Sequence, residues 1–269
     1  MTSQVTSQVT RKVMFITGAS RRLGAEIART FAARGFHVIV HARSENPDAV
    51  ALTRAIGESH GRNQGKASLI TGDLAAEAER ARVVAAIDAR VDHVDVLVNN
   101  ASAFEYDFPG RGEVAQLRRS LEVHAVAPFA LIETFARRAT AQRRLDVFNI
   151  LDQKLAHVNP DYYSYTVGKA ALHAITQCWQ AADVKAVRVF GILPGTLYPS
   201  GPQTGQEFEA ASRANLLAHA PTAQDVCDAI RFFHENPGLP AQDLAVDAGE
   251  RLTRRQRDPA YDARFTSRG

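Results

Sequence analysis

Cysteine is nearly missing from this chain: two in 269 residues, Cys178 and Cys227, both inside stretches that read as helix. With no signal-peptide pattern ahead of them, a disulfide framework is not expected, and a reducing cytoplasm is the expected setting. Long apolar runs are missing as well. None reaches membrane-spanning length, so no membrane association is expected. The polar opening, which repeats TSQV, lacks the charged-then-apolar order of a secretory signal and reads as a disordered tail over residues 1–10. A dominant charge is the third absence. Lys and Arg number 32 against 29 Asp and Glu, with the signs interspersed, which argues against nucleic acid as a partner. Anionic small molecules remain open, because they need only a local cluster of positive charge.

What is present is an alternation of short apolar runs with amphipathic stretches. Strands are expected at 12–18, 36–43, 67–74, 94–102, 145–152, 186–195 and 242–249, and helices at 24–35, 47–60, 75–90, 122–140, 163–182 and 222–236. The strands are almost continuously apolar, as burial on both faces requires. Strand, crossover helix and strand in succession predict a doubly wound parallel sheet of about seven strands, of Rossmann type, with helices on both faces. No Pro/Gly/Ser-rich linker divides the chain, so one domain is expected over 11–252. Residues 196–213 read as an irregular lid over a site, and 253–269 as a basic tail, mobile or in contact with another subunit.

The loop joining the first strand to the first helix reads ITGASRRLGAEIA. Gly18 and Gly24 permit a tight turn and close approach of backbone to a pyrophosphate at a helix N-terminus. An NAD site usually places an acid at the end of the second strand, to hold the ribose hydroxyls. Here the sequence is VIVHARS. Arg43 and Ser44, with Arg21 and Arg22 of the first loop, suit a 2′-phosphate instead, so NADP(H) is expected; the plainer alternative is that the arginines are solvated surface groups. Asp73 ends the third strand, where it suits either an adenine amino group or the N-cap of the following helix. Asn99, Asn100, Ala101 and Ser102 close the fourth strand and are expected to wall the cleft.

Three tyrosines crowd residues 162–165, and one of them has a lysine four residues on: Tyr165, with Lys169. That spacing puts both on one helix face. An ammonium beside a phenol favours the phenolate and lowers its pKa, giving a usable proton donor and acceptor.

These motifs, TGxxxxxG, NNAS, YTVGK and the PG at 194–195, in this order, resemble the short-chain dehydrogenase/reductase family from about Lys12 to Leu252. The resemblance implies Tyr165 as proton donor, Lys169 as a second holder of the nicotinamide ribose, and a cofactor wall that also takes in Ser20, Leu23, Leu74, Pro194 and Gly195. It implies a homodimer or homotetramer. Three departures narrow it. Arg22 stands where the usual loop has glycine, Asp152 where the family has a catalytic serine, and His124 where an asparagine is expected. With Phe104 after NNAS, they resemble the pteridine reductase branch, including its dihydromonapterin and dihydrofolate reductases. The expected catalytic set is therefore Tyr165, Lys169, Asp152 and His124, with Arg22, Phe104, Asp152, Tyr165 and Leu197 around a pterin. Phe104 is equally readable as a core residue, and His124 as a packing residue.

The serine-to-aspartate exchange has a chemical direction. Ketone reduction builds an alkoxide, which a serine hydroxyl stabilises by donating a hydrogen bond. An ionised aspartate only accepts, and its charge opposes that alkoxide. Reduction of a C=N bond leaves a nitrogen that acquires a proton and positive character, which a carboxylate favours. The expected activity is NADPH-dependent reduction of a dihydropterin. The rivals are a carbonyl or 3-oxoacyl reductase and a non-catalytic NADP(H) sensor.

Overall fold

The computed structural model describes residues 11–58, 65–182, 184–262 and 264–265; the expected N-terminal tail over 1–10 lies outside them. Seven strands, β1 (Val13–Ile16), β2 (His37–Ala42), β3 (Lys66–Thr71), β4 (Val96–Asn99), β5 (Leu145–Ile150), β6 (Val187–Pro194) and β7 (Asp243–Val246), form one sheet. The order is β3-β2-β1-β4-β5-β6-β7 and every pairing is parallel, as expected of a doubly wound fold. Successive side chains of one strand enter opposite cores. Met14 and Ile16 of β1 join one cluster with Val38, Val96, Phe148 and Phe190, while Val13 and Phe15 join the other with Ile39, Leu97, Val147 and Val189. This two-residue alternation, apolar on both sides, is why the strands read as unbroken hydrophobic runs.

The first core is roofed by α1 (Arg22–Ala32) and α8 (Ala223–Glu235), whose buried Ile27, Phe31, Ile230 and Phe233 fill it. The second is covered by α3 (Glu77–Asp88), by α5 (Ala127–Ala136) and, through partly buried Ile175 and Trp179, by α6 (Tyr163–Ala181). Phe148 and Phe190 stack at 5.1 Å with no exposure. Removing a ring from such a position costs about 3–5 kcal/mol. Helix α2 (Pro47–Glu58) packs on β3 at the sheet edge. Among the described residues no helix is long and apolar enough to cross a membrane.

Three elements differ from expectation. The fourth crossover helix begins earlier, as α4 (Val114–Leu121), and runs through a π-helical turn at Glu122–Val126 into α5. Of α4's residues only Ser120 is buried, so the segment carries almost no apolar stripe to read. Within the stretch 196–213, expected to be irregular, Gly205–Ser212 forms α7 behind a capping box of Thr204 and Glu207. In the segment read as a basic tail, mobile or in contact with another subunit, the described residues pack on the domain: Arg255, Ala260 and Asp262 are buried, and Arg257 pairs with the fully buried Asp161.

Candidate active site

The strand order reverses between β1 and β4, and at that crevice the carboxyl ends of the strands surround a cleft of about 980 Å³. Its floor is backbone against backbone. Gly18 has φ +62°, and a Cβ on it would lie 2.8 Å from Ala101 Cα. A Cβ on Gly24 would lie 2.6 Å from Asn100 Nδ2. The space those glycines leave is used by Asn100, whose Nδ2 donates to Thr17 O at 2.9 Å and Gly18 O at 3.0 Å. Thr17 Oγ1 in turn accepts from the backbone N of Asn100 and Ala101, both at 2.9 Å. Arg22 has φ +52°, a left-handed conformation that explains the glycine usual at this place. Helix α1 starts with neither a side-chain cap nor an acid in its first turn. Its first N–H groups are left for an anion.

Exposed Arg21, Arg22 and Arg43 stand around this end, with Ser44 beside Arg43 where β2 runs out. Asp73 lines the cleft too. Its Oδ1 accepts from Ala75 N at 3.0 Å and its Oδ2 lies 3.6 Å from Arg119, so it does serve the turn that follows β3. Glycine-built close approach, an uncapped helix end and a cluster of guanidinium groups together fit a phosphorylated dinucleotide.

The reacting end is set by the start of α6. Tyr162, its N-cap, has φ +52° and no capping side chain; the cap comes from Asp107, whose carboxylate accepts from Ser164 N at 3.0 and 3.1 Å. One turn in, the Tyr165 hydroxyl donates to Asp152 Oδ2 at 2.7 Å, and Asp152 Oδ1 accepts from Lys154 N at 2.8 Å. Lys169 Nζ donates to Ile150 O at 2.5 Å and lies 5.7 Å from the Tyr165 ring centroid. The expectation that Lys169 lowers the phenol is corrected here. Burial, and after it the Asp152 carboxylate, push Tyr165 well above its ordinary value. Lys169 is itself brought down from 10.5 to about 8 by burial. Phe104 is no core residue. It is 43% exposed, stacks on Tyr162 at 3.9 Å and turns an edge to Tyr165 at 4.7 Å.

Every expected site residue lines this one cleft except Asn99 and His124. Asn99 is buried beneath it. Its Nδ2 donates to Asn149 Oδ1 at 2.8 Å, and Asn149 Nδ2 donates to Thr176 Oγ1 at 2.8 Å, a tie from β4 across β5 to α6. His124, expected in the catalytic set, has both ring nitrogens engaged. Nε2 accepts from Ala103 N at 3.2 Å and lies 3.0 Å from Ser102 Oγ; Nδ1 lies 3.1 Å from Ser120 Oγ, which donates to Ser164 O at 2.7 Å. Burial keeps the ring neutral, well below its usual pKa. It is a positioning residue that pins the NNAS loop and α6 to the π turn.

Sequence reasoning missed a comparable tie at His41. The ring accepts from Gly18 N at 3.2 Å and Nε2 bonds to Gly72 O at 2.9 Å, joining the loops after β1 and β3. Burial lowers it from 6.5 to about 4. Also missed was Glu250, in a short 3-10 turn (Glu250–Leu252) after β7. Its carboxylate accepts from Thr196 N and Oγ1, both at 2.8 Å, and from Gln153 Nε2 at 3.2 Å. Tyr198, Arg255 and Asp258 line the cleft without any local motif; Tyr198 sits under the Arg22 guanidinium at 5.6 Å. Tyr162 and Tyr163 had no lysine at the helical offset, and neither lines the cleft.

Comparison with known proteins agrees with this geometry. The chain is 27% identical to pteridine reductase 1 of Leishmania tarentolae, over 93% of this chain and 100% of that one. It is 22% identical to dihydromonapterin reductase of Enterobacter sp. (strain 638), over 90% and 98%. Among solved structures, the FolM alternative dihydrofolate reductase 1 from Brucella canis, complexed with NADP, superposes with a TM-score of 0.81 at 30% identity, covering 90% of this chain and 95% of that one. The pattern of the short chain dehydrogenases matches residues 12–209. With that match, the sheet order and the Tyr165–Lys169 pair in its cleft, the chain belongs to the short chain dehydrogenase family.

Proposed function

We propose that this oxidoreductase reduces a dihydropterin, of the dihydromonapterin, dihydrobiopterin or dihydrofolate type, with NADPH as cofactor. The observation that carries the reading is the 2.7 Å bond from the Tyr165 hydroxyl to Asp152. A donor to the substrate oxygen would be needed there for ketone chemistry; an acceptor stands there instead. In a partly desolvated cleft, an anion beside a forming alkoxide costs on the order of several kcal/mol. Beside a nitrogen that is gaining a proton, the same charge is favourable.

Gly18, Gly24 and the N-terminus of α1 hold the pyrophosphate, while Arg43 and Ser44 hold the 2′-phosphate. When bound, the cofactor supplies the hydride. Phe104 and Tyr165 frame a flat heterocycle, and the 196–213 segment covers it as a lid. Tyr165 delivers the proton to the ring nitrogen as the adjacent carbon is reduced, and Asp152 restores the phenol's proton from solvent. Lys169, protonated below about 8, keeps positive charge beneath the phenol.

The test is oxidation of NADPH with dihydromonapterin, dihydrobiopterin and dihydrofolate, set against a 3-oxoacyl ester. Turnover of a dihydropterin, abolished or strongly reduced in Asp152→Ser, is expected. Turnover of the ester alone, undiminished by that substitution, would make the chain a carbonyl reductase. Binding of NADPH with no turnover at all would leave a cofactor sensor.

A further inference from the structure

The C-terminal segment brings a second carboxylate to the cleft. Arg255, Asp258 and Pro259 line it, and Asp258 stands close enough to Asp152 and Tyr165 for the charges to act on one another. This placement is built rather than incidental. Asp161 has no exposure; Arg257 Nε and Nη2 each donate to it at 2.8 Å, and the backbone N of Asp258 donates to its Oδ2 at 2.7 Å. Lys154 Nζ donates to the Asp161 carbonyl from the other side. Asp258 is thus clamped through its own main chain, and its side chain is aimed by Ser200 Oγ at 3.2 Å and Ala260 N at 3.0 Å, both on Oδ1. Oδ2 meets no donor among the described residues.

Lys154, the cation whose charge acts on Asp258, donates to the Asp161 carbonyl, and Arg257 and Arg255 are engaged elsewhere. Arg257 serves Asp161, and Arg255 lies 3.3 Å from Glu250 Oε1 while donating to Ala211 O and Ala214 O. A carboxylate accepts hydrogen bonds and donates none when ionised. Held half-buried against a cleft with an exposed aromatic face, it calls for a planar ligand that carries N–H donors on its edge.

We infer that Asp258 is a specificity-determining residue, recognising the amino-pyrimidine edge of the substrate through its free carboxylate oxygen. This rests on the dihydropterin reading and names which part of that substrate is read, and by what. The 2-amino group of a pterin presents an N–H donor in the ring plane, which the single free oxygen of Asp258 can accept. A 2-oxo analogue replaces the amino donor with an acceptor facing an anion.

The experiment compares a 2-amino dihydropterin with its 2-oxo (lumazine-type) analogue on the wild-type chain and on Asp258→Asn. Expected on the wild type is a KM at least tenfold higher for the 2-oxo compound. Asp258→Asn is expected to raise KM for the 2-amino substrate 10- to 100-fold, leave kcat within about threefold, and shift the 2-oxo KM less than threefold. NADPH affinity, followed by its fluorescence, should not change. Equal KM for the two compounds on the wild type overturns the inference whether or not the variant folds. So does a variant that turns over the 2-amino compound with unaltered KM, although the dihydropterin reading then stands. A wild type that reduces neither compound overturns both.

Discussion

The two ends of the cleft are made of different materials. The cofactor end is largely main chain: Gly18 and Gly24 let the loops after β1 and β4 touch, and His41 ties the loop after β1 to the one after β3. The reacting end is side chains drawn from far apart, with Asp152 and Tyr165 separated by 13 residues and Asp161 and Arg257 by 96. A main-chain surface binds what all members of such a fold share, a pyrophosphate and its nucleosides. A side-chain surface can change one residue at a time, and two of the three departures from the common pattern, Asp152 and His124, lie there; the third, Arg22, is in the cofactor loop.

If the ends are separable, the largest effect comes from Tyr165→Phe. Turnover should fall about 10²- to 10⁴-fold, while NADPH binding, measured by fluorescence titration, stays within twofold. A parallel loss of cofactor affinity would show that the ends are one unit. Acid should act the other way, on the main-chain end. His41 is held near 4 against 6.5 when unfolded, so the unfolded chain takes up its proton first. Stability is therefore intact above about 6.5 and is lost as the pH falls toward 4, by about 3 kcal/mol from this ring alone. Urea unfolding at pH 7 and pH 4.5 measures it, and His41→Gln should reduce the difference, leaving the share of His37, which burial also lowers to about 4. His124, also depressed by burial, adds to the same slope.

Next in size is Asp161→Asn, which loosens the clamp on Arg257 and Asp258. The Arg257 side chain is 41% exposed, so the expected cost is about 2 kcal/mol, below that of a fully buried pair. Thermal melting should show it, and substrate KM should rise with NADPH affinity unchanged. The smallest effect expected is at Arg43→Ala: roughly a tenfold loss of preference for NADPH over NADH, with kcat for the reduction unaltered. An unchanged ratio of affinities would remove the 2′-phosphate from the role assigned to this arginine.

The same division governs what the sequence made legible. Strand and helix order were readable because each strand feeds two cores, and the cofactor loop was readable because its glycines are local. Tyr165, Lys169 and Asp152 could be placed because spacing on one helix, and position at one strand end, determine their neighbours. The hydrogen-bond partners of His124 were hidden because its two serines, Ser102 and Ser120, lie on separate elements; a histidine in an apolar helix gives no sign of being saturated. The position of Asn99 was hidden for a related reason: alternation along β4 turns it down into the sheet, toward Asn149, while Asn100 faces the loop. Asp258 had no sequence signal at all. It is one of two acids in a basic tail, with Asp262, and the packing of Arg257 onto Asp161 brings it to the cleft.

The left-handed backbone at Arg22 has a consequence for how this chain can change. A non-glycine residue there carries about 1–2 kcal/mol of conformational strain that glycine would relieve. Arg22→Gly is accordingly a mutation that should harden the fold while stripping a guanidinium from the rim of the cleft. Selection for heat resistance alone would favour glycine at this position, so the arginine is kept at a cost in robustness.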